Sequence, residues 1–134
     1  MSNILTANKI SSGAIAGLAE LIDASDMPDK LINQGRCGRF HDRATLDVDG
    51  RLGVSVFQSE SFSMPFTMEM MERHPLGSQA FMPMQEGEYL VVLAEDKDGA
   101  PFAPRAFIAG SGQAVNIGPV SYTHLRAHET VLDL

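Results

Sequence analysis

The chain has 134 residues, 44% of them apolar, and a formal net charge of −7, which suits one domain that buries its own core. That much negative charge repels nucleic acid phosphates and anionic membrane surfaces, so the expected partner is a small molecule, with no nucleic acid and no membrane. Cys37 is the single cysteine, no apolar run approaches the roughly 20 residues of a membrane span, and MSNILTANKISSG lacks a signal-peptide pattern, so we expect a cytoplasmic chain with a buried, inert thiol.

The first element is SSGAIAGLAELIDAS. Ser12 stands where an N-cap belongs, and Ile15, Leu18, Leu21 and Ile22 recur at helical spacing, which predicts one short amphipathic helix. Next, DMPDKLINQGRCGRFHD mixes turn formers with charge and reads as an ordered loop or edge segment. From there on the pattern is one of short strands: LGVSVFQS, PFTMEMM, SQAFMPM, EYLVVLA, PRAFIAG and QAVNI. Turn signals at Asp49-Gly50, Pro75-Leu76-Gly77, Glu86-Gly87, Asp98-Gly99 and Gly110-Ser111-Gly112 separate them. Many short strands with little room for crossover helices predict an all-β domain, an antiparallel sandwich or small barrel preceded by the one helix.

Two fragments look like the start of a calcium loop, DVDG at Asp47–Gly50 and DKDG at Asp96–Gly99, but neither is followed by the distal bidentate glutamate, and hairpin turns account for both. The methionines of MPFTMEMMERHPLGSQAFMPM alternate along strands, so they are expected in a core or dimer interface rather than as soft metal ligands.

The stretch MERHPLGSQAFMPM ends one apolar strand in Glu72, Arg73 and His74, turns on Pro75 and Gly77, and restarts at Ser78 and Gln79. Polar groups thus gather at a strand corner, where they either line the mouth of a cavity or simply face water. INQGRCGRFHD adds Asn33, Arg36, Arg39, His41 and Asp42, in a segment that a solvated loop would also explain.

These strings together, LINQGRCGRFHDRA, ERHPLGSQAFMPM, EYLVVLA, PRAFIAG and GQAVNIG, resemble the ureidoglycolate lyase family from about Leu5 to Gly118, with RHPLGSQAFMPM the most specific of them. AIAGLAELIDA departs from the Phe-Pro-Phe-Gly-like segment usual there. The resemblance implies a cupin-like antiparallel β-barrel or jelly roll, a homodimer, and cleavage of (S)-ureidoglycolate to glyoxylate and urea in allantoin breakdown. It also implies a divalent metal, nickel in particular. That chemistry needs a base, an acid and a cation for the substrate carboxylate. The expected catalytic residues are His74, Gln79 and Arg73, and the expected substrate-binding residues are Arg36, Asn33, His41 and Asp42. In metal-binding cupins a ligand glutamate follows a ligand histidine by five positions; Gln79 stands at that distance from His74, so the metal ligands implied are His74 and Gln79, helped by a second-half histidine. The competing reading is a non-catalytic module that binds a small carboxylate or dimerises, distinguished by whether His74, Arg36 and Gln79 converge on one cavity.

The last segment stands apart. His124, His128 and Glu129 have a helical metal-site spacing, yet VSYTHLRAHET from Val120 to Thr130 resembles, codon by codon, a translated sequencing-library adapter. We therefore expect a truncated lyase-like domain over 1–118, incomplete at its C-terminus, a non-native stretch over 119–134, an accidental histidine pair, and impaired turnover.

Overall fold

Leu90-Val91-Val92-Leu93-Ala94 is a run of apolar residues without alternation, the pattern of a strand covered on both faces. In a computed structural model, which describes residues 4–60 and 63–127, that run lies inside the nine-residue strand Tyr89–Lys97, and all five residues are buried. In chain order the described strands are β1 (Asn8–Lys9), β2 (Ala19–Ile22), β3 (Lys30–Ile32), β4 (Cys37–Arg39), β5 (Glu72–Arg73), β6 (Gln79–Phe81), β7 (Tyr89–Lys97), β8 (Ala100–Ala109), β9 (Ala114–Ile117) and β10 (Tyr122–Ala127). They form a five-stranded sheet in the order β1-β8-β7-β10-β5, a three-stranded sheet β2-β9-β6, and a hairpin β3-β4. All pairings are antiparallel except β1 with β8. The fold is all-β and consistent with a cupin-like architecture; no closed barrel forms among the described residues.

Two faces of β7 feed two apolar clusters. Val91 and Leu93 pack with Ile15, Leu18, Leu21, Phe107, Val115 and Ile117, while Leu90 and Val92 pack with Ala106 and, partly buried, Phe66, Met68 and Met71. Each such side chain contributes about 1.5–3 kcal/mol when fully buried. The hairpin from β7 to β8 turns on Asp98 (φ 54°) and Gly99 (φ 80°), as DKDG predicts, because a two-residue hairpin turn of this hand needs positive φ at both positions.

Several expectations are corrected. The predicted N-terminal helix is absent. Residues 11–18 form successive turns, with Ser11 Oγ rather than Ser12 accepting the Ala14 N–H at 3.2 Å; Gly17, at φ 86°, leaves the helical region, and the chain extends into β2. Ile15, Leu18 and Leu21 are buried nonetheless, because a turn followed by a strand delivers them to the same core. LGVSVFQS and PFTMEMM form no regular strand: Val54 (96% exposed) and Phe57 (77%) face solvent, since no described strand pairs with them and an isolated strand is not stable. DVDG makes no hairpin either; Val48 bridges to distant Gly77. The methionines divide: Met68 and Met71 pack on the smaller cluster, whereas Met64, Met70, Met82 and Met84 are exposed. Cys37 is exposed on β4, not buried, because the β3-β4 hairpin has no sheet packed over it. Within 119–134 the structure has β10, paired in register with β7 from Tyr122↔Ala94 to Ala127↔Tyr89, while His128 and Glu129 lie outside the described residues.

Replacing fully buried Leu93 by Ala is expected to lower stability by about 2–5 kcal/mol in urea unfolding, whereas exposed Leu52→Ala stays within about 0.5 kcal/mol. Equal losses at both positions would contradict this placement of the core.

Candidate functional site

β5 is an edge of the five-stranded sheet and β6 an edge of the three-stranded one, so the turn between them, residues 74–78, is a corner that joins two sheets. Gly77 closes it by donating its N–H to the His74 carbonyl at 3.4 Å. Arg73 lies opposite Tyr122 across the β5-β10 ladder, which puts its guanidinium 5.2 Å from the ring centroid and 3.1 Å from Asp96. The Tyr122 hydroxyl donates to the same Asp96 carboxylate at 3.1 Å; burial, then this donation, push its pKa up. His74 is exposed, with its Nε2 3.4 Å from Glu72 Oε2. Gln79 starts β6 opposite Ile117 of β9.

The second group of predicted residues lies on the β3-β4 hairpin. Asn33, Gln34 and Gly35 turn it with φ of 54°, 61° and 79°, a conformation that Asn and Gly tolerate. Exposed Arg36 follows the turn, and its guanidinium has no partner among the described residues. Past β4, the Arg39 guanidinium donates to His41 Nδ1 at 2.8 Å, which assigns the ring proton of neutral His41 to Nε2. Asp29 accepts the His41 backbone N–H at 2.8 Å and lies 3.5 Å from Arg43; the first of these contacts chiefly holds its carboxyl below the usual range. Asp42 is exposed at φ 54°.

His74 and Glu72 are therefore brought together, as are Arg39, His41 and Asp29, but no hydrogen bond or ion pair joins the corner to the hairpin among the described residues. A groove of about 1040 Å³ lies elsewhere and is lined by Lys9, Asp23, Ser25, Glu88 and Gln113 among others. Within it Asp23 is satisfied locally: burial pushes its pKa up, but hydrogen bonds from Ser25 and Gln113 outweigh that and hold it low. His74, Arg36 and Gln79 are not among the residues that line this groove. Among the described residues no three or more His, Cys, Asp or Glu side chains assemble into a group that could hold a metal ion.

Sequence reasoning missed the groups that tie these parts together, Glu20, Thr45, Asp47, Ser78 and Asn116. One signal was legible: Asn116 is the polar residue in Ala114-Val115-Asn116-Ile117, a strand buried throughout. The second-half imidazole that is described, His124, stacks on Phe66 with centroids 5.5 Å apart, and Arg126 lies 5.0 Å from that ring. Its Nε2 is buried without a partner; burial pushes its pKa below 6.5, against the raising effect of a hydrogen bond to the Met70 backbone.

A model of the family described as ureidoglycolate lyase matches residues 2–125. Curated relatives include a ureidoglycolate lyase of Rhodobacter capsulatus, 48% identical over 110 residues, covering 81% of this chain and 68% of the relative. Another, from Chelativorans sp., is 41% identical over 115 residues, 84% of this chain and 70% of its own. A ureidoglycolate lyase 2 of Rhizobium meliloti is 42% identical over 111 residues, with 81% and 68% covered.

His124 also yields a pH dependence. Its folded pKa lies below the ordinary 6.5, so its contribution to stability is present above about 6.5 and is lost as pH falls through the lowered value, where the unfolded chain binds a proton that the half-buried ring refuses. The urea midpoint should be lower at pH 5 than at pH 8, and His124→Phe should shrink that drop; an equal drop in both proteins rules out His124 as its source.

Proposed function

The chain belongs to the ureidoglycolate lyase family, and we propose that it works at the polar corner around His74. It is a lyase that splits ureidoglycolate into glyoxylate and urea. The observation that carries this is the family match across nearly the whole chain together with 48% identity to a curated lyase. Nothing observed favours the binding-module alternative over it.

The substrate is a carbinolamide, in which one carbon carries both a hydroxyl and the urea nitrogen. In our reading the imidazole of His74 takes the hydroxyl proton, the oxygen's electron pair forms the aldehyde of glyoxylate, and the carbon–nitrogen bond breaks with its pair on the urea nitrogen. The imidazolium then returns the proton to that nitrogen, so no net charge or electron is left over. Glu72, 3.4 Å from His74, orients the ring. Arg73 is engaged with Asp96 and stacked on Tyr122, which suits it to holding β5 in place. Arg36, exposed and unengaged, is then the better guanidinium for the substrate carboxylate. Gln79 would hydrogen-bond the ureido group, with Asn33, His41 and Asp42 completing a polar rim. No step is routed through a metal.

The finer context belongs to the same proposal: the (S) substrate, a place in allantoin and purine breakdown, a cytoplasmic location and a homodimer. No helix among the described residues is long and apolar enough to cross a membrane. Exposed Val54, Val56 and Phe57 are apolar surface of the kind a second subunit covers. The adapter origin of residues 119–134 is also a proposal, and a genomic reading through those codons from independent DNA refutes it.

His74→Ala should lower kcat for urea and glyoxylate release by about 10²–10⁴-fold and leave the fold intact, because the ring is 47% exposed. Arg36→Ala should act mainly through KM. Wild-type kcat in His74→Ala sinks the assignment of the base.

A further inference from the structure

Asn116 is 3% exposed, and while its Oδ1 is buried with no hydrogen-bond partner, its amide nitrogen is fully engaged. Its Nδ2 donates twice, to Glu20 Oε1 at 2.9 Å and to the Thr45 carbonyl at 2.9 Å. The Thr45 N–H donates to the same Glu20 oxygen at 2.9 Å. Glu20 and Asn116 are cross-strand partners in the β2-β9 ladder, so both backbone groups of one loop residue are held by two side chains that stand side by side on a sheet. Both contacts of the amide nitrogen end on acceptors, which sets the orientation of the amide.

Two residues further along, the chain is fastened again. The Asp47 N–H donates to Ser78 Oγ at 2.8 Å, the Ser78 N–H donates back to the Asp47 carbonyl at 2.8 Å, and Val48 bridges to Gly77. The approach is close enough that a Cβ at Gly77 would stand 2.9 Å from the Asp47 carbonyl oxygen, so only glycine fits. Residues 43–48 therefore form a strap. At one end it continues from His41 and Asp42 and the hairpin that carries Asn33 and Arg36; at the other it is sewn to the corner between His74 and Gln79. The same β9 that carries Asn116 pairs with β6 at Ala80 and, through Ile117, at Gln79.

We propose that Glu20 and Asn116 are positioning residues for the lyase reaction, clamping Thr45 so that the strap sets the carboxylate-binding hairpin at a fixed distance from the His74–Gln79 corner. The roles of those two groups rest on the proposed function above; the clamp itself rests on the hydrogen bonds. The strap is covalently continuous with the hairpin and hydrogen-bonded to the corner, so it relates the two. A displacement of about 1 Å between binding and reacting groups costs on the order of 10²-fold in rate, so a side-chain clamp on one loop carbonyl and one loop N–H has a kinetic consequence.

The test uses three variants of the full chain. Glu20→Ala removes the shared acceptor. Glu20→Gln keeps an oxygen that accepts both N–H groups and is the conservative rescue. Asn116→Asp is isosteric but faces two acceptors with a third. The expected result is that Glu20→Ala and Asn116→Asp raise KM and lower kcat, reducing kcat/KM by about tenfold or more, while Glu20→Gln matches the parent. A second readout needs no turnover: a nitroxide on Cys37, the single and exposed cysteine, broadens backbone amide resonances with distance, so the pattern at residues 76–80 reports hairpin against corner. That pattern should change in Glu20→Ala and Asn116→Asp and persist in Glu20→Gln, with the amides of β7 and β8 unaffected in all three. A fall in thermal midpoint with KM and broadening unchanged overturns the proposal, as does a Glu20→Gln variant as impaired as Glu20→Ala. Should Asn116→Asp fail to fold, the Glu20 pair decides. Should the parent chain release no urea, the nitroxide pattern decides the clamp alone.

Discussion

The structure depends on the burial of one strand from both sides. β7 pairs with β8 along one edge and β10 along the other, and it sends Val91 and Leu93 into one apolar cluster and Leu90 and Val92 into another. A strand hydrogen-bonded on both edges and covered on both faces leaves no polar backbone group facing apolar surroundings unpaired, so its apolar run can be long. Everything else is arranged by how it reaches this strand. β8 returns through a two-residue turn, the turns at 11–18 bring Ile15 and Leu18 onto one face, and Phe66, Met68 and Met71 cover the other without forming a strand of their own.

The chemistry sits away from that core, on the seams between sheets. The corner after β5 leaves the five-stranded sheet for the three-stranded one, which is why Glu72 and His74 are solvent-facing while Arg73 and Tyr122 remain engaged with Asp96. The loop that follows the β3-β4 hairpin is tied to the rest through Thr45 and Asp47. Such a layout keeps polar groups accessible to a small, charged substrate at low cost in desolvation, and it makes their relative position depend on hydrogen bonds. Those are directional, so they locate a loop more sharply than apolar contact of the same strength.

Legibility followed locality. The turn at Asp98-Gly99 was readable because two neighbouring residues carry the whole requirement, positive φ twice in succession. β6 through β9 were readable because each matches a run of apolar residues between turn formers. The helix expected over SSGAIAGLAELIDAS was not, because spacing reports which side chains are buried and not which backbone delivers them. Val54, Val56 and Phe57 have strand composition, yet pairing needs a neighbour that composition does not name. Among the site residues His74 and Glu72 were legible as a polar cluster in sequence, whereas the Glu20–Asn116–Thr45 clamp joins residues 20, 45 and 116 and leaves no local trace beyond an asparagine in an apolar strand.

By itself, the sequence determined the class of the fold, the acidic balance that turns away polyanions, the two polar stretches, and through its motifs the family and the reaction. Those are properties of composition and of short strings, which do not change with the path of the chain. Only the tertiary structure decided that Arg73 is committed to Asp96, that Cys37 faces water, and that Glu20 and Asn116 bind one loop residue between them. Each of these depends on which distant strands become neighbours, and that is settled by the burial of β7 as a whole, a sum over contacts that no single stretch of residues contains.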